Sequence, residues 1–253
     1  MAFPNFAEKH AGRPFVTPQR FLRYRSDHGV AIDRMPPAVI VSWQRRLLDR
    51  VKASRAGRET PGPAGAVLEL SPTVGFAHLP IGAPAVGIVV EELCAAGVEV
   101  VVGIGTAGGL AGHLHPGDTV LCSAALRDDG TSHHYAPPQR WAEPDPTLIE
   151  QLGAVLPRAT VGRTWTTDAP YRETAEEIAH YRAAGVVTVE MEAAALFTVS
   201  RVLGVRAASV FCVSDVLHGL EWEPHFHDAA VADTLWEIFE RVEAALDSPS
   251  SAC

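Results

Sequence analysis

Cysteine is scarce in this sequence of 253 residues, which contains four: Cys94, Cys122, Cys212 and Cys253. None forms a C-x-x-C pair, and three lie inside apolar runs, which favours buried free thiols in a reducing cytosol. No apolar run is long enough to span a bilayer, and residues 1–25 lack the apolar segment of a secretion signal. We therefore expect a soluble, cytoplasmic protein with no membrane partner.

Positive charge is also in short supply, since the formal net charge is -9. The phosphate backbone of nucleic acids binds favourably to a basic surface, so we expect no DNA or RNA partner. A small anionic substrate is compatible with this charge, because a local pocket can oppose the overall sign. The length and the hydrophobic content of 47% fit one large domain with a sizeable core.

The order of apolar and polar segments predicts an α/β fold. A charged, proline-containing arm is expected over 1–36, a single domain over 37–247 and a disordered tail over 248–253. Strands alternate with helices, which indicates a largely parallel or mixed sheet with helices on both faces. Residues 54–64 are typical of a loop. The predicted strands are 38–41, 66–70, 74–79, 98–104, 119–125, 159–166, 186–190 and 207–213, and the main helices are 43–53, 85–96, 172–184, 192–203 and 229–246.

Three common binding signatures are absent. The segment G-I-G-T-A-G-G-L, which begins at Gly103, is not the dinucleotide fingerprint, and no Gly-Lys-Ser/Thr follows it as in a P-loop. His133 and His134 lack the H-x-x-x-H or H-E-x-x-H partners of a metal site. We therefore expect neither a metal nor an organic cofactor.

The glycine segment follows the most strongly apolar strand, at the end where open α/β sheets bind ligands. Glycines let backbone N–H groups approach an anion, and Thr106 adds a hydroxyl donor. A tight turn without a ligand explains the glycines equally well. The polar stretch 127–135, R-D-D-G-T-S-H-H-Y, also follows a strand and is typical of a site loop.

Carboxylates follow two further apolar strands. Glu190 and Glu192 lie close to a predicted core, where a charge is costly unless something binds it, and a ribose diol is a suitable partner. Favourable acidic charge at a helix N-terminus is the alternative. Asp215 ends a strand and is a candidate general acid or, alternatively, an N-cap.

These segments together resemble the family of purine nucleoside and uridine phosphorylases, which includes methylthioadenosine/adenosylhomocysteine nucleosidase and AMP nucleosidase. The motifs that carry the resemblance occur in the family's order: G-I-G-T-A-G-G-L, R-D-D-G-T-S-H-H-Y-A-P, T-T-D-A-P-Y-R-E-T, V-E-M-E-A-A-A-L-F and V-S-D. The resemblance covers about residues 38–217. It implies a mixed, barrel-like central sheet flanked by helices, in a homo-oligomer (dimer or hexamer) whose neighbours complete each site.

The resemblance also implies roles for individual residues. Glu192 would grip the ribose 2′- and 3′-hydroxyls, Met191 would pack on the sugar, and Asp215 would protonate N7 of a purine. Gly105 and Thr106 would contact phosphate or the attacking water. The other substrate-binding candidates are Glu190, Thr167, Asp168, Tyr171, Arg172 and His134. The phosphate-binding candidates are Thr106, Arg45, Arg46 and Arg127.

Departures from the family pattern leave three hypotheses open. Gly103 stands where family phosphorylases have a phosphate-binding arginine, and the run Ser42 to Arg46 replaces the usual Gly-Asp-Pro-x-x-Arg loop. A nucleoside phosphorylase with inorganic phosphate as co-substrate is the leading hypothesis, and a nucleosidase that uses water is the second. The third is a non-catalytic nucleoside-binding protein, which the presence of both Glu192 and Asp215 disfavours. Purine and pyrimidine bases both remain open.

Overall fold

The computed structural model describes residues 3–6, 8–30, 34–62, 65–219 and 221–248. They form α-helices, strands and two short 3-10 helices, at Lys9–Ala11 and Pro170–Arg172. The α-helices are α1 (Pro18–Asp27), α2 (Arg45–Ser54), α3 (Ala83–Ala95), α4 (Ser132–Tyr135), α5 (Pro146–Val155), α6 (Ala175–Ala183), α7 (Ala193–Leu203) and α8 (Ala229–Asp247). The strands are β1 (Ala38–Ser42), β2 (Arg58–Gly62), β3 (Gly65–Glu69), β4 (Val74–His78), β5 (Val100–Gly109), β6 (Thr119–Asp128), β7 (Trp141–Ala142), β8 (Thr160–Thr167), β9 (Val186–Glu190), β10 (Arg206–Val216) and β11 (Glu223–Pro224).

The strands form one mixed sheet that closes on itself. Its order is β11-β10-β6-β8-β9-β5-β1-β4-β3-β2, and β10 also pairs with β5, so that five strands (β5, β10, β6, β8 and β9) make a ring. Strands β4, β1, β5 and β10 run parallel to one another, and β6, β8 and β9 form a second parallel group. The two groups meet in antiparallel pairs, β10 with β6 and β5 with β9. The expected mixed, barrel-like sheet is confirmed.

Helices cover both faces of this sheet, and the core is divided accordingly. Val101 of β5 packs in a cluster with residues of α3 and α7, whereas Val102 and Ile104 pack with residues of α2, α5 and α8. Strand β5 is therefore buried on both faces, which explains its continuous apolar run.

The structure corrects two sequence predictions of local structure. Residues 54–64 are not simply a loop, because they contain β2, which pairs antiparallel with β3. Strand β2 is a polar edge strand that contains Pro61, and such strands carry a weak pattern. Helix α5 was also missed, although Asp145 caps it by accepting a hydrogen bond from the Leu148 N–H at 2.9 Å and Pro146 is its first residue.

Candidate functional site

Strand β5 carries the glycine segment beyond Ile104, where the sequence predicted the strand to end. That predicted end is wrong, because β5 continues in extended conformation to Gly109, and the alternative of a tight turn is wrong for the same reason. Strand β10 pairs with one edge of β5, while on the other edge β1 pairs as far as Ile104 and β9 pairs from Gly108 onward. Among the described residues, the segment 105–107 thus pairs with β10 but with neither β1 nor β9. This gap between β1 and β9 leaves an edge of the glycine segment where N–H groups can meet an anion.

Trp43 lies across the glycines of β5. A Cβ on Gly103 would lie 3.0 Å from Cη2 of the Trp43 ring and 2.9 Å from Oγ of Ser209, and a Cβ on Gly105 would lie 3.0 Å from Cε3 of the ring. The indole is buried, and its Nε1 has no hydrogen-bond partner in the part of the chain that the structure describes. A side chain at either position would therefore crowd the indole, and at Gly103 the Ser209 hydroxyl as well. The indole fills the space beside the position of the family's arginine.

Introducing that arginine should destabilise the protein. We expect Gly103→Arg to cost about 1–3 kcal/mol through overpacking and to lower the midpoint of thermal unfolding by roughly 2–4 °C per kcal/mol. Trp43→Ala in the same chain should relieve the clash, so the double variant should be more stable than the sum of the single losses. Strictly additive losses in a double-mutant cycle would contradict the packing described.

Thr106 faces a small pocket next to the gap. Nε2 of Gln44 donates a hydrogen bond to its Oγ1 at 3.0 Å, and Arg46 lines the same pocket of about 50 Å³. Arg46 is exposed, and its guanidinium has no ion-pair partner among the described residues. Arg45, by contrast, is ion-paired with Asp49 at 3.2 Å and lines a different pocket. Of these two candidate cations, Arg46 is the one that the fold places beside Thr106.

Glu190 caps helix α7. Its Oε2 accepts hydrogen bonds from the backbone N–H groups of Glu192 and Ala193, each at 2.7 Å, and its Oε1 accepts one from the Thr166 hydroxyl. A carboxylate here meets the positive end of the helix dipole. Both oxygens of Glu190 thus hold the start of α7 and Thr166, and its predicted contact with substrate stays a prediction.

Glu192 is the second buried carboxyl of the segment. Its Oε1 accepts a hydrogen bond from the Gly82 N–H at 2.7 Å, and its Oε2 accepts one from the Met191 N–H at 3.2 Å. Burial, and then the charge of Glu190, raise the pKa of Glu192 to about 8. Because Glu190 accepts a hydroxyl and two helix N–H groups, we assign the negative charge of the pair to Glu190 and the proton to Glu192. A buried carboxyl with no cation beside it marks a candidate ligand site.

Asp215 lies near the end of β10 and is 8% exposed. The Ser214 hydroxyl donates to its Oδ1 at 2.8 Å, and the indole N–H of Trp222 donates to its Oδ2, also at 2.8 Å. A β-bulge shifts the register between Val213 and Asp215, as is common next to functional sites.

The strand register brings the acid and the Glu-Met-Glu segment together. Gly108 pairs with Asp215 on one side and with Val189 on the other. A Cβ on Gly108 would lie 3.2 Å from Oδ2 of Asp215 and 3.1 Å from Cγ1 of Val189. Glu190, the partly exposed Met191 and Glu192 follow Val189 directly, so this segment begins on the opposite side of Gly108 from the acid. This end of β5 is therefore the centre of the candidate site.

The predicted base-binding segment divides into a packed part and an exposed part. Thr167 is buried at the end of β8, and Oδ2 of Asp168 accepts a hydrogen bond from the Gly130 N–H at 2.7 Å. Strand β8 pairs with β9 next to Glu190, so Thr167 and Asp168 border the site. Tyr171, however, is 99% exposed, and Arg172 is exposed as well. Within this single chain, Tyr171 is too exposed to be part of a base pocket.

Arg127, a predicted phosphate ligand, donates its hydrogen bonds to the loop that follows β6. Its Nε donates to Oγ of Ser132 at 3.0 Å, and its Nη1 and Nη2 donate to the backbone carbonyls of Ser132, Ala136 and Pro137 at 2.8 to 3.2 Å. A guanidinium has five N–H donors, and four contacts here hold residues 132–137 in place. Arg127 therefore holds this loop in place, and its contact with phosphate stays a prediction.

His134 lies in α4, where the N-terminal arm covers it. The Phe3 ring meets the His134 ring with centroids 5.1 Å apart and the His133 ring at 6.0 Å. Burial, and then the charge of Lys9, lower the pKa of His134, so it is neutral at pH 7. Its Nδ1 is buried and lacks a partner among the described residues, which leaves this predicted substrate ligand with an unused polar atom.

Neither a metal cluster nor a membrane span is found in the described ranges. No three His, Cys, Asp or Glu side chains converge there as a metal site requires. No helix of these ranges combines the length and the apolar character needed to cross a bilayer.

Several residues of the site were missed in the sequence. The missed donors are Gln44, Gly82 and Trp222, and the missed partner of Glu190 is Thr166. Glu173 was missed too, and burial followed by the charge of Asp215 raises its pKa to about 7. Gly82, at φ 105° before α3, lies in the segment L-P-I-G-A-P, whose prolines and glycine are typical of a loop. The other contacts could not be predicted, because they join separate segments of the chain.

Solved structures similar to this chain share its fold. Purine nucleoside phosphorylase from Toxoplasma gondii in complex with immucillin-H superposes with a TM-score of 0.76 at 17% identity, over 84% of this chain and 91% of that one. AMP nucleosidase from Bacteroides thetaiotaomicron superposes with a TM-score of 0.74 at 18% identity, over 92% of this chain and all of that one.

Relatives in sequence are similar over part of their length. Guanosine phosphorylase of Halorubrum lacusprofundi is 36% identical over 137 residues, which are 53% of this chain and 57% of that protein. Uridine phosphorylase of Escherichia coli K12 is 32% identical over 148 residues, 51% of this chain and 58% of that protein. The chain thus matches little more than half the length of these relatives. The family model described as the phosphorylase superfamily matches residues 51–245, and the chain belongs to that superfamily.

Proposed function

We propose that this chain cleaves the N-glycosidic bond of a nucleoside with phosphate, releasing the base and (deoxy)ribose 1-phosphate. The observation that carries the proposal is the register around Gly108, which pairs with Asp215 on one side and on the other with Val189, the residue before the Glu-Met-Glu segment, beside the gap at 105–107. One carboxyl is then available for the sugar and one for the base, with an anion-accessible edge between them. The relatives named guanosine and uridine phosphorylase support the same reaction.

The chemistry follows from the positions of these groups. As the bond between C1′ and the base nitrogen breaks, its electron pair passes to the base and positive charge grows on the ribose. Glu192 accepts the ribose hydroxyls, Met191 packs on the sugar, and Asp215 donates a proton to the leaving base. Phosphate then attacks C1′ from the side of Thr106.

Purine nucleosides are the preferred substrates in this proposal. Asp215 is a buried carboxyl held by two hydrogen bonds, which suits a group that protonates N7 of a purine. Pyrimidine nucleosides are the second choice, because a uridine phosphorylase is among the relatives.

We infer that the anion site combines Thr106, the Gln44 amide and Arg46. Arg46 is the exposed cation of the pocket that Thr106 lines, so it can supply the charge that Gly103 lacks. A guanidinium suits this task because it can bind phosphate oxygens in a bidentate manner.

Hydrolysis is the second candidate function, and Trp43 is the observation that favours it. The indole occupies the space beside Gly103, so an arginine cannot approach an anion from that face of β5. If Arg46 does not hold phosphate, water is the nucleophile that the gap admits.

Phosphate dependence separates these two functions. We expect the release of guanine from guanosine to require phosphate and to rise at least about 100-fold at saturation, since about 2.7 kcal/mol is a modest gain from a positioned nucleophile. Uridine serves as the pyrimidine comparison. A rate that is independent of phosphate, with free ribose as the product, would establish hydrolysis instead.

Replacing Arg46 tests the anion site. We expect Arg46→Ala to raise KM for phosphate about tenfold, because a hydrogen-bonded charge contributes about 1.5–3 kcal/mol, and to change KM for the nucleoside little. Arg45→Ala is the matched control, since its guanidinium is already paired with Asp49 on the surface. Equal effects of the two substitutions on KM for phosphate would remove Arg46 from the site.

A homo-oligomer with shared sites agrees with the exposure of Tyr171 and Arg172, which a neighbour can cover. We retain a cytoplasmic location, an N-terminal arm over 1–36 and a domain over 37–247 as predictions. The predicted tail 248–253 lies outside the described residues except for Ser248.

A further inference from the structure

Trp222 makes a contact with Asp215 that the motifs do not contain. The indole N–H donates to Oδ2 of Asp215 at 2.8 Å, while the Ser214 hydroxyl donates to Oδ1 at the same distance. Asp215 is buried, so these two donors determine how its carboxyl is oriented.

The backbone fixes where Trp222 stands. It directly precedes β11, whose residues Glu223 and Pro224 pair antiparallel with Val216 and Asp215 of β10. The indole itself is 58% exposed and lines a groove of about 430 Å³ between α6 and residues 217–219 and 221. The side chain therefore connects the buried acid to the solvent-facing surface of the site.

The two oxygens of Asp215 differ chemically because their donors differ. An indole N–H can only donate, so the oxygen that faces it must remain an acceptor. A hydroxyl can donate or accept, so Ser214 tolerates a proton on Oδ1. With the indole in place, protonation of Asp215 is thus favoured at Oδ1 over Oδ2.

We propose that Trp222 is a positioning residue for the cleavage step, which selects Oδ1 of Asp215 as the oxygen that delivers the proton to the base. This inference rests on the proposed function. In the step, the bond from Oδ1 to its proton breaks and a bond from that proton to purine N7 forms. The electron pair of the bond between C1′ and N9 passes into the purine ring, and Asp215 is left as a carboxylate that accepts from both donors.

A nucleoside that needs no proton provides the test. In an N7-methylated purine nucleoside the ring already carries a positive charge, so its cleavage does not depend on an acid at N7. We expect Trp222→Phe to lower kcat for guanosine about tenfold or more, as loss of a hydrogen bond to a charged group would. The same variant should cleave 7-methylguanosine within about twofold of the unmodified protein, since that step makes no use of the acid.

Further variants make the result specific. Trp236→Phe is the matched control, because this indole packs on Arg50 and on Phe239 away from Asp215, and both rates should be unchanged. Trp222→His keeps a ring N–H, so it should recover part of the guanosine rate. It also provides an active comparison if the Phe variant is unstable in thermal unfolding.

The outcomes separate this inference from the proposed function. If the unmodified protein cleaves neither nucleoside, the proposed function fails. If it cleaves both and Asp215→Asn slows guanosine alone, the acid is established. In that case, equal slowing of both nucleosides by Trp222→Phe, or no slowing at all, overturns the role of Trp222.

Discussion

Replacing Glu192 with Gln should lower kcat/KM for nucleoside at least about 100-fold while it makes the free protein more stable. The loss follows because an amide cannot accept hydrogen bonds from two ribose hydroxyls with both atoms or stabilise a ribosyl cation. Two hydrogen bonds to the carboxylate form of Glu192, which is the form that binds the ribose hydroxyls in this proposal, together contribute about 3 kcal/mol or more. Steady-state kinetics that follow the release of guanine from guanosine measure this effect.

The gain in stability follows from the position of the carboxyl. The pKa of Glu192 in the folded protein is raised to about 8 from 4.5, mainly by burial. The folded state therefore binds more protons than the unfolded state between these values, and stability falls as pH rises through that window. Gln does not titrate, so the variant should lack this loss and unfold roughly 5 °C higher at pH 8, for a gain on the order of 2 kcal/mol.

Glu190→Gln is the matched comparison, because it changes the neighbouring carboxyl in the same way. Glu190 accepts two N–H groups at the start of α7, and an amide offers one acceptor atom where the carboxylate offers two. We expect this variant to lose roughly 1–2 kcal/mol of stability, as for a lost helix cap. If both variants shift the thermal midpoint in the same direction, the division of roles between the two carboxyls is wrong.

Replacing Asp215 with Asn should slow the cleavage of purine nucleosides at least tenfold, which corresponds to about 1.4 kcal/mol of barrier. General acids typically contribute about 100-fold or more. The Asn carbonyl can still accept from Trp222 and its amide can still donate to Ser214, so the fold and KM should change little. The measurements are kcat for the release of guanine from guanosine and the midpoint of thermal unfolding.

An unchanged kcat in this variant would remove Asp215 from the mechanism. A different result bears on the third hypothesis: tight binding of nucleoside by the unmodified protein without turnover would identify a non-catalytic binder on this scaffold. Calorimetric titration with guanosine, with and without phosphate, separates that case from an inactive preparation.

The sequence allowed the fold and the carboxyls of the site to be predicted because their signals are local. The strand over 98–104 is apolar and β-branched, and it proved central and buried on both faces. The Glu-Met-Glu segment lies between an apolar strand and a small-residue helix, as expected. The local sequence pattern could not assign different roles to its two glutamates. Those roles depend on the contacts of Glu190 with α7 and of Glu192 with Gly82.

The parts that escaped prediction depend on contacts between distant segments. The glycines of β5 are needed because Trp43, about sixty positions earlier in the chain, packs on them. The sequence predicts Arg127 to be a cation available for phosphate, because it does not show that the backbone carbonyls of the following loop accept its hydrogen bonds. Trp222 lies in a polar stretch with no periodicity, so its hydrogen bond to Asp215 emerges only from the fold.

Synthesis of a nucleoside in the reverse direction tests the central claim most directly. Incubation of the protein with guanine and ribose 1-phosphate should yield guanosine and release inorganic phosphate in equal amounts, because phosphorolysis conserves the energy of the glycosidic bond. Absence of guanosine, together with free ribose as the product of guanosine cleavage in the forward direction, would contradict phosphorolysis and assign the site to hydrolysis.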